Sequence, residues 1–211
     1  MTKKIIFDGD GTLYDSGRSI KNACNHTLKV LGYPTYRDDE LDFFVGPPLK
    51  ESFRLCKVKD DDLDEAVRMY RQYQKEHTLF DIDLYPGIME MLAETRKRSY
   101  EVFLATSRPR KLAASLLDHT GLTRFFGGIF GAGDDGSDAE KEKVVGKVYF
   151  NTPRTDVTYM VGDTYMDVLA GKMFYFQTIG CLYGYGNETE LRNSMPDHLI
   201  NKPIEILSII K

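Results

Sequence analysis

Three short apolar runs along the chain have the pattern of buried β-strands; they are residues 4–7, 101–105 and 157–161. Each run is too short for a helix and lacks polar alternation, as expected of strands covered on both faces of a parallel sheet. Two apolar stripes at helical spacing lie between them, one made of Ile88, Met91, Leu92 and Thr95 and the other of Leu112, Ser115 and Leu116. This alternation predicts an open α/β sheet with right-handed crossovers.

The segment from residue 16 to residue 86 has a different, purely helical pattern. One stripe consists of Ile20, Ala23, Cys24, Thr27, Leu28 and Leu31 and stops at Gly32, and a second consists of Leu63, Val67, Tyr70 and Tyr73. Three aspartates, residues 60–62, precede the second stripe and suit a helix N-terminus. We therefore expect residues 1–15 and 87–211 to form the α/β core and residues 16–86 to form an all-helical insert.

Composition and charge narrow the class of protein. The chain has 211 residues, 42% hydrophobic and 28% charged, and a formal net charge of -4 without a cluster of basic residues. Nucleic-acid and membrane surfaces rest on concentrated positive charge, so neither partner is expected. The three cysteines, residues 24, 56 and 181, are far apart and odd in number, which favours a reducing compartment over a disulfide framework or a zinc site.

The expected location is the cytoplasm. The apolar run before Asp8 is too short for a signal peptide, and the sequence has no apolar stretch of the length that spans a bilayer.

Each predicted strand is followed by side chains that can do chemistry. Asp8 and Asp10 follow the first, Thr106 and Ser107 the second, and Asp163 with Asp167 the third. Ligands of open α/β sheets bind at the carboxyl ends of the strands, so these groups should share one crevice. Carboxylates brought together in this way repel one another unless a cation neutralises them.

Magnesium is the cation that suits this set, because it takes oxygen ligands, and no His or Cys lies in these motifs to favour zinc. A calcium loop is excluded, because the twelfth residue counted from Asp8 or Asp10 is Ser19 or Lys21 rather than a glutamate. A magnesium ion beside a free carboxylate is typical of phosphoryl transfer, in which the carboxylate attacks phosphorus and forms an aspartyl-phosphate.

Four motifs together resemble those of the haloacid dehalogenase-like phosphatases. They are Asp-Gly-Asp-Gly-Thr-Leu at residues 8–13, Thr106, Lys141, and Gly-Asp-Thr-Tyr-Met-Asp at residues 162–167. Residues 46–49, 85–87 and 183–186 resemble the phosphoglycolate-phosphatase-like branch. The resemblance implies a Rossmann-like doubly wound parallel sheet with a small all-helical cap inserted after the first motif.

The resemblance also implies roles for these residues. Asp8 would be the nucleophile, Asp10 would protonate the leaving oxygen and later activate water, Thr106 would hydrogen-bond the phosphoryl group, and Lys141 would offset its charge. The metal Mg²⁺ would be held by Asp8, the backbone carbonyl of Asp10 and Asp163, with support from Asp167. Lys141 lies in a charged stretch that also suits a solvated helix face, so Lys143 is the alternative for its role.

Substrate contacts are expected from Gly11 and Thr12 through their backbone N–H groups, from Ser107, and from Lys50 in the insert. Surface lysines are more often simply solvated, which is the alternative for Lys50. Gly9 departs from the family pattern, where a larger apolar residue is common, and is expected to loosen the backbone of the nucleophile.

The expected function is Mg²⁺-dependent hydrolysis of a small phosphorylated metabolite such as phosphoglycolate, a nucleoside monophosphate or a sugar phosphate. A phosphosugar mutase uses the same residues and differs in how well the cap excludes water. A catalytically silent binding protein on this scaffold is a further alternative, although every catalytic group is present. The presence of Asp10 argues against a dehalogenase, and the oligomeric state stays open.

Overall fold

The computed structural model describes residues 2–211. In chain order its strands are β1 (Lys3–Phe7), β2 (Tyr14–Asp15), β3 (Asp83–Leu84), β4 (Tyr100–Pro109), β5 (Gly128–Ala132), β6 (Val157–Gly162), β7 (Gln177–Cys181) and β8 (His198–Ile200). The α-helices are α1 (Gly17–Val30), α2 (Leu49–Leu55), α3 (Leu63–Tyr73), α4 (Ile88–Lys97), α5 (Arg110–His119), α6 (Lys141–Asn151), α7 (Tyr165–Met173), α8 (Glu188–Asn193) and α9 (Ile206–Ile209).

The main sheet has six parallel strands in the order β5-β4-β1-β6-β7-β8. The first strand lies near the middle, and the order reverses beside it, which is the arrangement that places ligands at the carboxyl edge of a doubly wound sheet. The register aligns Phe7 with Leu104 on one side and with Val161 on the other. The residues that follow these three positions therefore emerge next to one another.

Both faces of the sheet are covered by helices, which explains the continuous apolar runs in the sequence. Ile5 and Phe7 pack in the cluster that holds side chains of α4, α5 and α9, whereas Ile6 packs on the opposite face against α6 and α7. All three side chains are fully buried, and burial of such a side chain contributes about 1.5–3 kcal/mol. The predicted doubly wound α/β fold is confirmed.

The insert has its own apolar core. Side chains from α1, α2 and α3, including Cys24, Leu28, Phe53 and Tyr70, form a cluster separate from those of the sheet. The α3 helix continues directly into a π-helical turn, Gln74–Thr78. The domain boundaries at residues 15/16 and 86/87 stay a prediction.

A two-stranded antiparallel ribbon of β2 and β3 flanks the insert. Because β3 lies within residues 16–86, the expectation that this segment contains helices alone is corrected. A strand of two residues is too short to leave a period of two in the sequence.

Within residues 2–211, no helix combines the length and apolar character that a membrane crossing requires.

Candidate active site

The carboxyl edge of the sheet brings together groups that are far apart in the sequence. Asp8 directly follows β1 and its N–H donates to the carbonyl of Val161 at 2.9 Å, while Asp163 directly follows β6. Thr106 lies within β4, which extends beyond the predicted end to Pro109 and loses its regular register between Thr106 and Pro109. The side chains of Asp8, Asp163 and Thr106 are buried at this edge.

A buried lysine links two of the carboxylates. Lys141 is the first residue of α6 and is only 4% exposed; its Nζ lies 2.6 Å from Oδ1 of Asp8 and 3.0 Å from Oδ1 of Asp167. Burial lowers the pKa of this ammonium, but Asp167 and Asp8 outweigh it and leave the pKa raised. The other candidate, Lys143, is exposed and pairs with Glu140 at 3.2 Å. Of the two lysines, the structure therefore places Lys141 against Asp8.

Three carboxylates form a cluster that fits a divalent cation. Oxygens of Asp8, Asp163 and Asp167 lie within 4.8 Å of one another, and all three residues are buried. Burial raises the pKa of Asp8 well above its ordinary value, and the attraction of Lys141 does not reverse this. Burial and repulsion from Asp167 raise the pKa of Asp163 to about 7. One ammonium facing three buried carboxylates leaves excess negative charge, which a hard cation with oxygen ligands would neutralise.

Asp163 is held by donors from two separate loops. Its Oδ1 accepts a hydrogen bond from Oγ1 of Thr12 at 3.1 Å, and its Oδ2 accepts from the N–H groups of Tyr185 at 2.8 Å and Gly186 at 3.2 Å. Gly11 has a φ of +75°, and a Cβ there would collide with the Asp163 carboxylate. Only glycine at position 11 therefore allows the loop after β1 to approach Asp163 so closely.

The backbone N–H groups of Gly11 and Thr12 form hydrogen bonds within the turn after β1. The N–H of Gly11 donates to the carbonyl of Tyr14 at 3.0 Å, and the N–H of Thr12 donates to the carbonyl of Gly9 at 3.2 Å. Both residues also lie against the Asp163 carboxylate. Their contact with a substrate stays a prediction.

Asp167 is fixed by the start of α7. Its Oδ2 accepts hydrogen bonds from the N–H of Thr164 at 3.1 Å and from the Thr164 hydroxyl at 2.7 Å, which completes a capping box. The capping interaction leaves Oδ1 directed toward Lys141. Asp167 thus both caps a helix and belongs to the acidic cluster.

The Asp10 carboxylate is not part of that cluster. It pairs with Arg108, whose Nε lies 2.7 Å from Oδ2 and whose Nη2 lies 2.6 Å from Oδ1, and it accepts a hydrogen bond from Ser16. Burial alone would raise the pKa of Asp10, but the Arg108 guanidinium and the Ser16 hydroxyl hold it below its ordinary value. Metal ligation by Asp10 through its backbone carbonyl stays a prediction.

Sequence reasoning missed Arg108, Ser16 and Gln74. Only weak signals for the first two are present in the sequence. Arg108 lies two residues after Thr106, and Ser16 lies three residues after the end of the first motif, residues 8–13. Gln74 gave no signal. Its Oε1 accepts a hydrogen bond from Nη1 of Arg108 at 3.2 Å.

A cavity of about 500 Å³ lies between the insert and the edge of the sheet. Asp8, Asp10, Thr106, Ser107 and Lys50 all line it. Thr106 is buried, and its hydroxyl accepts a hydrogen bond from the N–H of Arg108 at 3.2 Å. Lys50 is half exposed, and its Nζ pairs with Asp64 at 2.6 Å. The structure thus brings four predicted residues of the core and one of the insert to a single cavity.

Gly9 is explained by the space around it. Its φ is not in the left-handed region, but a Cβ at this position would collide with the hydroxyl of Tyr14 and lie 3.0 Å from its Cζ. Tyr14 is fully buried, and among the described residues its hydroxyl has no hydrogen-bond partner. The tyrosine ring therefore fills the volume beside Asp8 and Gly9, which accounts for a glycine where the family pattern has a larger residue.

A double-mutant cycle tests this packing. Gly9→Ala should lower the free energy of unfolding by about 1–3 kcal/mol through overpacking. Tyr14→Phe alone should be neutral or stabilising because it removes a buried hydroxyl without a partner. The double variant should recover much of the loss in urea denaturation. If the changes in the free energy of unfolding of the two single variants simply added in the double variant, the proposed steric conflict between position 9 and Tyr14 would be contradicted.

A buried acidic cluster with a lysine lies at the carboxyl edge of a doubly wound sheet, and one member of the cluster, Asp8, lines a cavity. These features are those of an α/β protein with an enzyme-like site. A sequence model described as haloacid dehalogenase-like hydrolase matches residues 5–181. The chain belongs to the haloacid dehalogenase-like hydrolase family, which confirms the resemblance seen in its motifs.

Individual relatives agree with this assignment. The chain is 31% identical over 196 residues to a 5'-nucleotidase from Pseudomonas aeruginosa, covering 92% of this chain and 89% of that protein. It is 28% identical to a phosphoglycolate phosphatase from Vibrio parahaemolyticus, covering 99% and 96%. The crystal structure of a predicted phosphatase from Clostridium acetobutylicum superposes with a TM-score of 0.93 at 29% identity, covering 99% of this chain and 98% of that one.

Proposed function

We propose that this protein is a Mg²⁺-dependent phosphomonoester hydrolase acting on a small phosphorylated metabolite through an aspartyl-phosphate on Asp8. The observation that carries the proposal is the position of Asp8 in the structure. It borders the cavity, its carboxylate lies 2.6 Å from Nζ of Lys141, and it belongs to the same acidic cluster as Asp163 and Asp167, which fits a divalent cation. The names of the relatives, a nucleotidase and a phosphoglycolate phosphatase, support a small phosphate ester as substrate.

In the first step, a carboxylate oxygen of Asp8 attacks phosphorus while the bond to the ester oxygen breaks, and Asp10 gives that oxygen a proton. In the second step, Asp10 takes a proton from water, which attacks phosphorus, releases inorganic phosphate and regenerates Asp8. The pairing of Asp10 with Arg108 lowers the pKa of Asp10 and favours the ionised carboxylate of the second step, so Asp10 must bind a proton before it donates one in the first step. Asp8 thus acts as the nucleophile and Asp10 as the acid and then the base, and the two carboxylates have different surroundings.

Positive charge is needed where the phosphoryl group is transferred. A magnesium ion held by Asp8, Asp163 and Asp167, with the backbone carbonyl of Asp10, would neutralise phosphoryl oxygens and the acidic cluster. Lys141 supplies a fixed positive charge beside the nucleophile. Thr106 lines the cavity with a hydroxyl that can donate to a phosphoryl oxygen.

The insert would act as a cap that limits access of bulk water and selects the leaving group. It contributes apolar side chains to the cavity, among them Ile20, Phe44 and Val67, together with the cationic Lys50 and Arg54. These walls suit a compact metabolite with an anionic or polar part. We propose the cytoplasm as the location, in keeping with the three free cysteines.

A phosphate-release screen tests the function. The panel should contain phosphoglycolate, a nucleoside 5'-monophosphate, a sugar phosphate and p-nitrophenyl phosphate, each with Mg²⁺. Hydrolysis of at least one ester is expected, with phosphate released to water. Transfer between sugar positions without phosphate release would indicate a mutase instead, and no turnover across the panel would favour a silent binding protein.

A further inference from the structure

Arg108 connects the predicted acid/base to the insert. Two of its nitrogens contact the two oxygens of Asp10, at 2.7 and 2.6 Å, and the third donates to Gln74 at 3.2 Å. The side chains of Arg108 and Asp10 are only 11% and 10% exposed. A guanidinium paired in this way fixes both the plane and the direction of a carboxylate, which a lysine cannot do.

Gln74 is held just as firmly from the side of the insert. It is 3% exposed, and its Nε2 donates to the hydroxyl of Tyr70 at 3.2 Å and to that of Ser19 at 3.3 Å. The Ser19 hydroxyl donates to the carbonyl of Thr78 at 2.6 Å, within the same π-helical turn that carries Gln74. The amide that contacts Arg108 is therefore oriented by a buried network that belongs entirely to the insert.

The direction of Asp10 matters for the chemistry. Ser16 and Arg108 together occupy several of the lone pairs of the carboxylate, so the remaining positions facing the cavity are limited. General acid–base catalysis requires the carboxyl group to lie within hydrogen-bond reach of the leaving oxygen. Small errors in such a direction cost large factors in rate.

We propose that Arg108 is the positioning residue for Asp10 and that Gln74 makes this positioning depend on the insert. Asp10 is then aimed at the leaving oxygen only when the insert holds Arg108 in place. The inference rests on the proposed hydrolase function, and it assigns a task to two residues that lie outside the four motifs.

The test uses two esters that differ in their need for a proton. An alkyl phosphate from the panel has a poor leaving group and depends on Asp10, whereas p-nitrophenyl phosphate releases a stable anion and hardly needs it. Because kcat/KM reports only the steps up to departure of the leaving group, it excludes the second step, in which both esters need Asp10 as a base. Arg108→Ala should lower kcat/KM for the alkyl ester by about 100-fold, the scale of one lost acid–base contribution, and for p-nitrophenyl phosphate by less than about 5-fold. Slower breakdown of the aspartyl-phosphate would lower kcat and KM together for both esters and leave this comparison unchanged.

Three further variants separate positioning from a structural role. Asp10→Asn combined with Arg108→Ala should be no slower on the alkyl ester than Asp10→Asn alone, within about threefold, because Arg108 acts through Asp10. Gln74→Met should give an alkyl-specific loss of about 10-fold. Arg110→Ala is the matched control, since this exposed arginine lies two residues further on, and it should stay within about twofold of the wild type on both esters.

If Arg108→Ala does not fold, Arg108→Lys, which keeps the positive charge, tests the positioning role in its place. It should show the same preference for p-nitrophenyl phosphate, in a weaker form. Equal losses on both esters in the folded variants, or a double variant clearly slower than Asp10→Asn, would overturn the assignment. If the wild type hydrolyses neither ester, the proposed function is refuted. If the wild type hydrolyses both, the variants test the positioning role of Arg108 separately from that function.

Discussion

Asp8→Asn is expected to fold and to lose turnover by at least about 10⁴-fold, because an amide cannot attack phosphorus as a carboxylate does. The substitution keeps the shape of a fully buried side chain and removes one of three mutually repelling carboxylates. Lys141 retains its second partner, Asp167, at 3.0 Å. The melting temperature should therefore change little, whereas phosphate release should be lost.

Steady-state phosphate release and thermal unfolding measure the two parts of this prediction. Asp39→Asn is a suitable control, because its carboxylate is 71% exposed and pairs with Arg37 on the surface of the insert. The control should keep full activity. Activity of Asp8→Asn within tenfold of the wild type would mean that another group takes the phosphoryl group.

Removal of divalent metal should silence the enzyme, and Mg²⁺ should restore it. The cluster of Asp8, Asp163 and Asp167 leaves more negative than positive charge around Lys141. Binding of a cation to the folded state alone should also stabilise the protein, by about 2.7 kcal/mol at a hundredfold excess over Kd. EDTA inactivation, rescue by added Mg²⁺ and a shift in the melting temperature are the three readouts.

The same site should bind Mg²⁺ less tightly in acid. Since the pKa of Asp163 in the metal-free protein is about 7, its carboxyl group must lose a proton before it can act as a ligand. Affinity should therefore fall as the pH drops through about 7. Calorimetric titrations at several pH values provide the measurement. EDTA already saturated with Mg²⁺ is the control for the inactivation, and rescue by zinc alone would contradict a site built from oxygen ligands.

The parts of the molecule that were predictable from sequence are those with a local signal. Residues 5–7 form a continuous apolar run because Ile5 and Ile6 face opposite helical layers, and that run identifies a buried strand. Asp8 follows such a run directly and Asp163 follows another after Gly162, so their convergence at one edge follows from the parallel order of the strands. The acidic cluster was thus accessible to reasoning about strand ends.

Features that depend on distant partners were not predictable. The Arg108–Asp10 pair joins residues 98 positions apart, and no pattern around Arg108 distinguishes it from a solvated arginine. Lys141 has the neighbours of an exposed helix, and only the packing of α6 against the sheet shows that it is buried. The reason for Gly9 lies in the ring of Tyr14, whose position the sequence does not reveal.

The central claim is that Asp8 carries the phosphoryl group during turnover. Acid quenching of the wild type after a few milliseconds with phosphorus-labelled substrate and Mg²⁺ should trap label on the peptide containing residues 5–13, in a bond that hydroxylamine cleaves. The label should disappear when Asp8 is replaced by asparagine. Turnover of the wild type without any such label, or label on a different peptide, would contradict this account.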